Sequence, residues 1–291
     1  MGEILSPKVI LITGSSSGFG YLTAIRLAEA GHIVYATMRD PAKGEALLEE
    51  ADRRGCAKRL HVWQLDVTKP ETIKAAVRSI VAADGVIDVL VNNAGFGIGG
   101  FFEDLSPEDF QQQFDVNFFG VLNVTREVLP VMRPRRKGKI INVSSMAAYA
   151  GTPCFSAYCS SKWALEGFSE CLYMELQPFG IDVALVEPGS YRTKIFEENA
   201  RVARRFDNHE SPYYGLSQRF RKDVLRHIRH NDRDPDEVAR VIERIIVQSG
   251  PAFRHVVGWR QKFRAFCLRV RLCPFKLYAE LVNMALTSPS E

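Results

Sequence analysis

The chain has 291 residues, 46% of them hydrophobic and 25% charged, with a formal net charge of +4. That balance excludes a disordered chain, a collagen-like chain and a disulfide-dense miniature domain. The charge surplus is too small to imply a nucleic-acid partner, but it is unevenly placed: residues 1–200 carry 20 basic and 24 acidic side chains, whereas the last 91 carry 18 and 10.

No basic stretch leads into an apolar run at the N-terminus, so no secretory leader is expected. No apolar run approaches the ~18 residues of a spanning helix. Cys56, Cys154, Cys159, Cys171, Cys267 and Cys273 form no CxxC pair and no His/Cys cluster. They read as reduced thiols of a cytoplasmic protein, and no metal site is expected.

Runs rich in Val and Ile predict strands at Val9–Ile12, Ile33–Ala36, Leu60–Leu65, Val86–Val91, Lys139–Val143 and Ile181–Val186. Several are apolar on both faces, as in a parallel sheet covered by helices. Helical patterns fall between them at about 18–30, 41–54, 69–83, 107–133 and 155–178. Thr68-Lys-Pro-Glu71 and Ser106-Pro-Glu-Asp109 each place a hydroxyl three residues before an acid, the pattern of a helix start. A helix at about 235–248 and a strand near Phe253–Trp259 complete the alternation. The expected fold is α/β: a doubly wound parallel sheet, Rossmann-like, in a single domain with helices on both faces. Residues 1–259 form that domain, with the polar, Arg-rich stretch 194–234 as an insertion over its active edge.

The first strand runs into Thr13-Gly14-Ser15-Ser16-Ser17-Gly18-Phe19-Gly20, and a helix pattern follows at once. Gly14 permits the tight turn, Gly18 lets backbone approach a phosphate, and Gly20 permits close helix–strand packing. The helix start adds free N–H groups and a positive dipole end, so a pyrophosphate is the expected ligand. After the second strand, Met38 stands where a ribose-binding acid is expected, and Arg39 follows. A guanidinium there pairs with a 2′-phosphate, which favours NADP. The other reading makes Arg39 a solvated charge and gives the ribose to Asp40.

Tyr158 and Lys162 lie four apart in a helix pattern and share a face. Ser145 ends the fifth strand in Asn142-Val-Ser-Ser145, and Asn117 falls inside the long fourth helix. Each is bland alone. In conjunction, downstream of a dinucleotide loop, they resemble the short-chain dehydrogenase/reductase family. The matches run in the family's order: Thr13–Gly20, Asp66, Asn92-Asn-Ala-Gly95, Asn117, Ser145, Tyr158-xxx-Lys162, and Pro188-Gly189 with Thr193. The segment Tyr35–Asp40 is similar to the 17β-hydroxysteroid and retinol dehydrogenase branch.

The resemblance implies an NADP-dependent oxidoreductase acting on a carbonyl or alcohol, and a homodimer or homotetramer. It makes Tyr158 the general acid or base. Lys162 lowers the phenol's pKa and holds the nicotinamide ribose. Ser145 orients the substrate oxygen, and Asn117 anchors a water for proton return. It places Gly14, Ser16, Ser17, Gly18, Phe19 and Gly20 at the phosphates and Asp66 and Val67 at adenine. Asn93, Ala94 and Gly95 fall at the adenosine ribose, and Pro188, Gly189 and Thr193 at the carboxamide. Asn92 and Asn93 also read as ties of the sheet edge. Two residues depart from the family pattern. Phe19 stands where Ile or Leu is commoner, and Trp163 where Ala is usual; Trp163 is expected to pack on a neighbouring helix.

Residues 260–291 form a C-terminal extension. Its segment 260–276 holds six basic residues, no acids and many apolar ones, with Pro274 expected to break the helix. It reads either as a tail over the pocket or a dimer neighbour, or as a peripheral contact with an anionic membrane. A lipophilic substrate such as a steroid, retinoid or long-chain ketone suits an apolar lid. A non-catalytic NADP sensor or scaffold on the same fold is the rival from another class. A dehydratase or epimerase fits the length and the Ser-to-Tyr interval less well.

Overall fold

Hydrophobic alternation along the strands decides the architecture. In the first strand Ile10 and Ile12 point to one side of the sheet and Val9 and Leu11 to the other, and all four are buried. The computed structural model describes residues 6–191, 201–269 and 275–287. Thr193, Cys273 and Pro274 lie outside the described residues.

The strands are β1 (Val9–Thr13), β2 (Ile33–Met38), β3 (Leu60–Gln64), β4 (Val89–Asn92), β5 (Ile98–Gly99), β6 (Gly138–Val143), β7 (Ile181–Glu187), β8 (Arg201–Val202) and β9 (Arg254–Val256). Seven of them form one parallel sheet in the order β3-β2-β1-β4-β6-β7-β9. The chain starts at the centre, runs outward to β3, and returns to the other side of β1. A crevice therefore opens at the C-terminal ends of β1 and β4. The expected strands all form.

On one face lie α1 (Gly18–Glu29), α2 (Glu45–Arg53) and, later in the chain, Asp236–Val247. On the other lie α3 (Pro70–Asp84), α5 (Gly120–Met132) and α6 (Ser156–Leu176). The helix expected over 107–133 is not continuous. It divides into α4 (Pro107–Phe114), a π turn over Asp115–Phe119, and α5. A π turn inserts one residue into the helical repeat, which sequence periodicity does not register.

Ser106 caps α4 as expected: its hydroxyl accepts from Asp109 N and the Asp109 carboxylate accepts from Ser106 N. Thr68 does not cap α3. Its hydroxyl donates to Asp66 Oδ1 at 2.7 Å, and Lys69 takes the cap position ahead of Pro70.

The described part of the insertion pairs β8 with β5 and continues into α7 (Tyr214–Arg229), ahead of α8 (Asp236–Val247). Ile98, Leu105, Cys154, Ala157, Ala203 and Phe206 bury one another where it meets the sheet edge. The extension forms α9 (Trp259–Arg269) and α10 (Phe275–Thr287).

Candidate active site

The glycine turn after β1 is latched from the side. Gly14 has φ +69°, and a Cβ there would lie 2.7 Å from Ala94 Cα. A Cβ on Gly20 would lie 2.4 Å from Gly14 O. Thr13 Oγ1 accepts from Asn93 N and Ala94 N, both at 3.0 Å. Asn93 Nδ2 donates to Thr13 O and Gly14 O at 3.0 and 2.9 Å. The Asn93 amide thus ties the turn together.

Helix α1 then starts at Gly18, φ +59°, with Ser17 extended. Its first turn holds no acid and its N–H groups carry no side-chain cap. An uncapped helix start behind a glycine turn fits a pyrophosphate. Ser16 lies half-buried in the same turn. Phe19 turns its ring edge-on to Tyr191, 5.4 Å away, so the enlarged side chain joins the core.

The remaining candidates come in at the same sheet edge. Arg39 is exposed after β2, and its guanidinium meets no hydrogen-bond or ion-pair partner among the described residues. The Asp40 carboxylate accepts from Ala42 N at 3.1 Å and so closes its own turn. Asp66 Oδ1 accepts from Thr68 N at 3.0 Å. Val67 is buried against Gly120, where a Cβ would lie 2.6 Å from its methyl. Pro188 O accepts from Met146 N at 3.0 Å, joining the loops after β6 and β7.

Tyr158, Lys162, Ser145 and Asn117 converge. The Lys162 ammonium is buried, donates to Val143 O at 2.9 Å and lies 6.0 Å from the Tyr158 ring centroid. Burial lowers its pKa to about 8, against an opposing pull from the Glu166 carboxylate. Burial pushes the Tyr158 phenol up, and the Ser145 hydroxyl pulls it back. Ser145 Oγ accepts from Ala147 N at 3.1 Å, which leaves its own proton to donate.

Asn117 sits fully buried in the π turn. Its Oδ1 accepts from Phe96 N at 3.1 Å, and its Nδ2 donates to Phe96 O and Ser161 Oγ at 3.0 and 3.2 Å. Its amide donors are therefore spent on fixing the turn. Gly95 keeps the space between Asn117 and Lys162 open: a Cβ there would lie 3.3 Å from Asn117 Oδ1 and 3.8 Å from Lys162 Nζ.

Three features escaped the sequence reading. Gln113, fully buried, bridges Phe96 O and Ile98 N. Asn142 links Asn92 to Ser169 across β4, β6 and α6. The buried Glu166 and Glu187 carboxylates form an ion cluster with the part-buried Arg254, one helical turn from Lys162. An acid ending the otherwise apolar strand at Glu187 was the available signal. Trp163 corrects an expectation. It is 52% exposed and its Nε1 donates to Ala147 O at 3.0 Å. A hollow of about 660 Å³, walled by Phe275 and Tyr278 of α10, lies against it, so the indole is held by the loop carbonyl rather than by close helix packing.

The short chain dehydrogenase profile matches residues 8–203. The chain is similar to a 3-ketodihydrosphingosine reductase of Bacteroides thetaiotaomicron, 39% identical over 87% of this chain and 89% of that one. It is similar to retinol dehydrogenase 8 of Bos taurus, 36% identical over 88% and 83%. In structure it resembles a short-chain dehydrogenase from Streptomyces avermitilis, with a TM-score of 0.78 and 33% identity over 96% of both chains.

Replacing Gly14 with Ala is expected to cost about 1–2 kcal/mol for the left-handed backbone alone, before the clash with Ala94 is counted. A lower denaturant midpoint would report it. An unchanged midpoint would contradict the latched-turn geometry.

Proposed function

This chain belongs to the short chain dehydrogenase family, and from that premise we propose that it is an NADPH-linked reductase of a lipophilic carbonyl compound, able to run in reverse on the alcohol. One observation carries the reading: the Tyr158 phenol, the Lys162 ammonium and the Ser145 hydroxyl meet at the strand ends beside the latched glycine turn.

The residues present fit a nicotinamide dinucleotide. The main chain of Gly14, Ser16, Ser17, Gly18, Phe19 and Gly20 holds the pyrophosphate. Arg39 takes the 2′-phosphate, because its guanidinium is exposed at the end of β2 while Asp40 is engaged with Ala42. Asp66 and Val67 hold adenine, and Asn93, Ala94 and Gly95 line the adenosine ribose. Tyr158 and Lys162 hold the nicotinamide ribose, and Pro188 and Gly189 the carboxamide. Thr193 belongs to the same proposal by its place in the sequence. When bound, NADPH supplies the hydride for the carbonyl carbon.

The chain supplies the proton. Burial keeps the phenol protonated at neutral pH, so Tyr158 is an acid before reduction begins. Lys162, cationic below a pKa of about 8, stabilises the phenolate left behind. Ser145 donates to the substrate oxygen as negative charge gathers on it. Asn117 fixes the widened helix turn beside Lys162. The wall built by Phe96, Phe155 and Phe220, with the insertion behind it, favours an apolar substrate. The names of the two relatives point to long-chain ketones and retinoids.

No helix among the described residues is long and apolar enough to cross a membrane. Trp259, Phe263 and Phe266 nevertheless stand out from one side of α9, at 75%, 69% and 58% exposure, beside Arg260, Lys262 and Arg264. The proposal is peripheral contact with anionic lipid through 260–276.

Tyr158→Phe should lower ketone reduction by ~10²–10⁴ while NADPH still binds. Binding with no turnover of any carbonyl by the unaltered protein, across ketones and retinoids, would instead mark a sensor. Arg39→Asp should raise KM for NADPH and improve the use of NADH; an unchanged KM would return the ribose to Asp40. The chain should float with phosphatidylserine vesicles and not with phosphatidylcholine ones, and Phe263→Ser with Phe266→Ser should abolish flotation. Equal behaviour on both lipids would remove the membrane contact.

A further inference from the structure

Glu166 lies one turn beyond Lys162 on α6, and its side chain is 11% exposed. Glu187 ends β7, fully buried. Arg254 reaches over from β9 and bonds both: it contacts Glu166, and it meets Glu187 at 2.7 Å. Its Nη2 also meets the half-exposed Glu170 at 2.6 Å. Tyr149, in the loop after β6, donates to Glu187 Oε1 at 2.7 Å. One oxygen of each buried carboxylate, Glu166 Oε1 and Glu187 Oε2, has no partner. Burying two carboxylates is costly unless each is balanced.

The balance becomes plain when Lys162 is counted. The charges gathered here are the buried Glu166 and Glu187 carboxylates, the buried Lys162 ammonium and the part-buried Arg254 guanidinium. Around them stand the Tyr158 and Tyr149 phenols, the solvent-screened Glu170, and the uncharged Val143 carbonyl and Asn117 amide. We infer that Glu166 and Glu187 are positioning residues for proton transfer, because with Arg254 they make a largely buried quartet that, with both carboxylates ionised, is neutral while Lys162 carries its proton. This rests on the acid–base reading of Tyr158 and Lys162 given above.

Only one of the two cations can yield. A guanidinium does not lose its proton in a protein, whereas a buried ammonium does. Removing either carboxylate leaves two cations facing one anion. Lys162 alone can relieve that excess, by deprotonating at lower pH. The Glu166 carboxylate already opposes the downward pull of burial on Lys162. Lys162 is charged below its pKa and neutral above it, so loss of the carboxylate brings the alkaline fall of activity to lower pH.

The test compares pH profiles of kcat/KM for NADPH-linked ketone reduction in the full chain and in Glu166→Gln, Glu187→Gln, Glu166→Asp and Tyr158→Phe, each checked by thermal melting. The alkaline limb should move down by about one pH unit in both Gln variants, the low end of the shift expected for a neighbouring opposite charge. The Asp variant keeps the charge and should keep the limb. A limb that stays in place in either folded Gln variant overturns the inference. So does a limb that moves equally in Glu166→Asp, since packing would then be the cause. Failure of both Gln variants to fold assigns the cluster to stability and also overturns it. Tyr158→Phe separates the two levels: if it retains activity, the acid–base reading itself fails; if it is inactive and the limb is unmoved, only the quartet does.

Discussion

A single buried ammonium sets the terms for the rest of the site. Lys162 points into the protein at the end of β6, where its ammonium donates to Val143 O. Lowering a lysine from 10.5 to about 8 corresponds to about 3 kcal/mol against the charged form. A fold accepts such a cost where the charge is used. The same burial raises the neighbouring phenol, so the two groups are driven apart: the phenol holds its proton more firmly while the ammonium gives its up more readily. A phenol so placed enters the reaction as an acid, and the ammonium beside it is the group that can stabilise the phenolate once the proton has left.

Holding the pair in place falls to uncharged amides. Asn92, Asn142 and Asn117 are fully or almost fully buried. Asn92 donates to Thr125 on α5 and to Asn142 on β6, and Asn142 donates to Ser169 on α6. Asn117 closes the loop after β4 and reaches Ser161 on α6. These bonds fix α6 against the sheet from two sides, and α6 carries Tyr158 and Lys162. Each side chain costs more if left unpaired than it returns when paired. The network is therefore a device for specifying one geometry more than for adding stability.

The strands, the glycine turn and the Tyr–Lys helix were legible because each rests on local spacing. Apolar runs of four to six residues and a four-residue interval survive translation into structure unchanged. Thr68 and Ser106 show where local pattern stops deciding. Both precede a lysine or proline and an acid three residues on, yet only Ser106 caps. Asp66 sits two residues before Thr68 and captures its hydroxyl, so a neighbour outside the motif changed the outcome. The π turn was hidden for another reason: one inserted residue leaves the flanking helices amphipathic. It is nevertheless what brings Asn117 inside. Arg254 could not have been found by spacing at all, since it meets Glu166 from 88 residues away and from the opposite edge strand.

Gly189 shows a glycine required by a neighbour rather than by its own backbone. A Cβ there would lie 2.9 Å from Gln261 Cδ, because α9 seats that side chain directly on the turn after β7. Ala265, one turn on, is buried on the same side of the helix. The opposite side presents Trp259, Phe263 and Phe266 to solvent. One helix thus bears on the proposed carboxamide cradle with one face and offers an aromatic, basic face outward with the other.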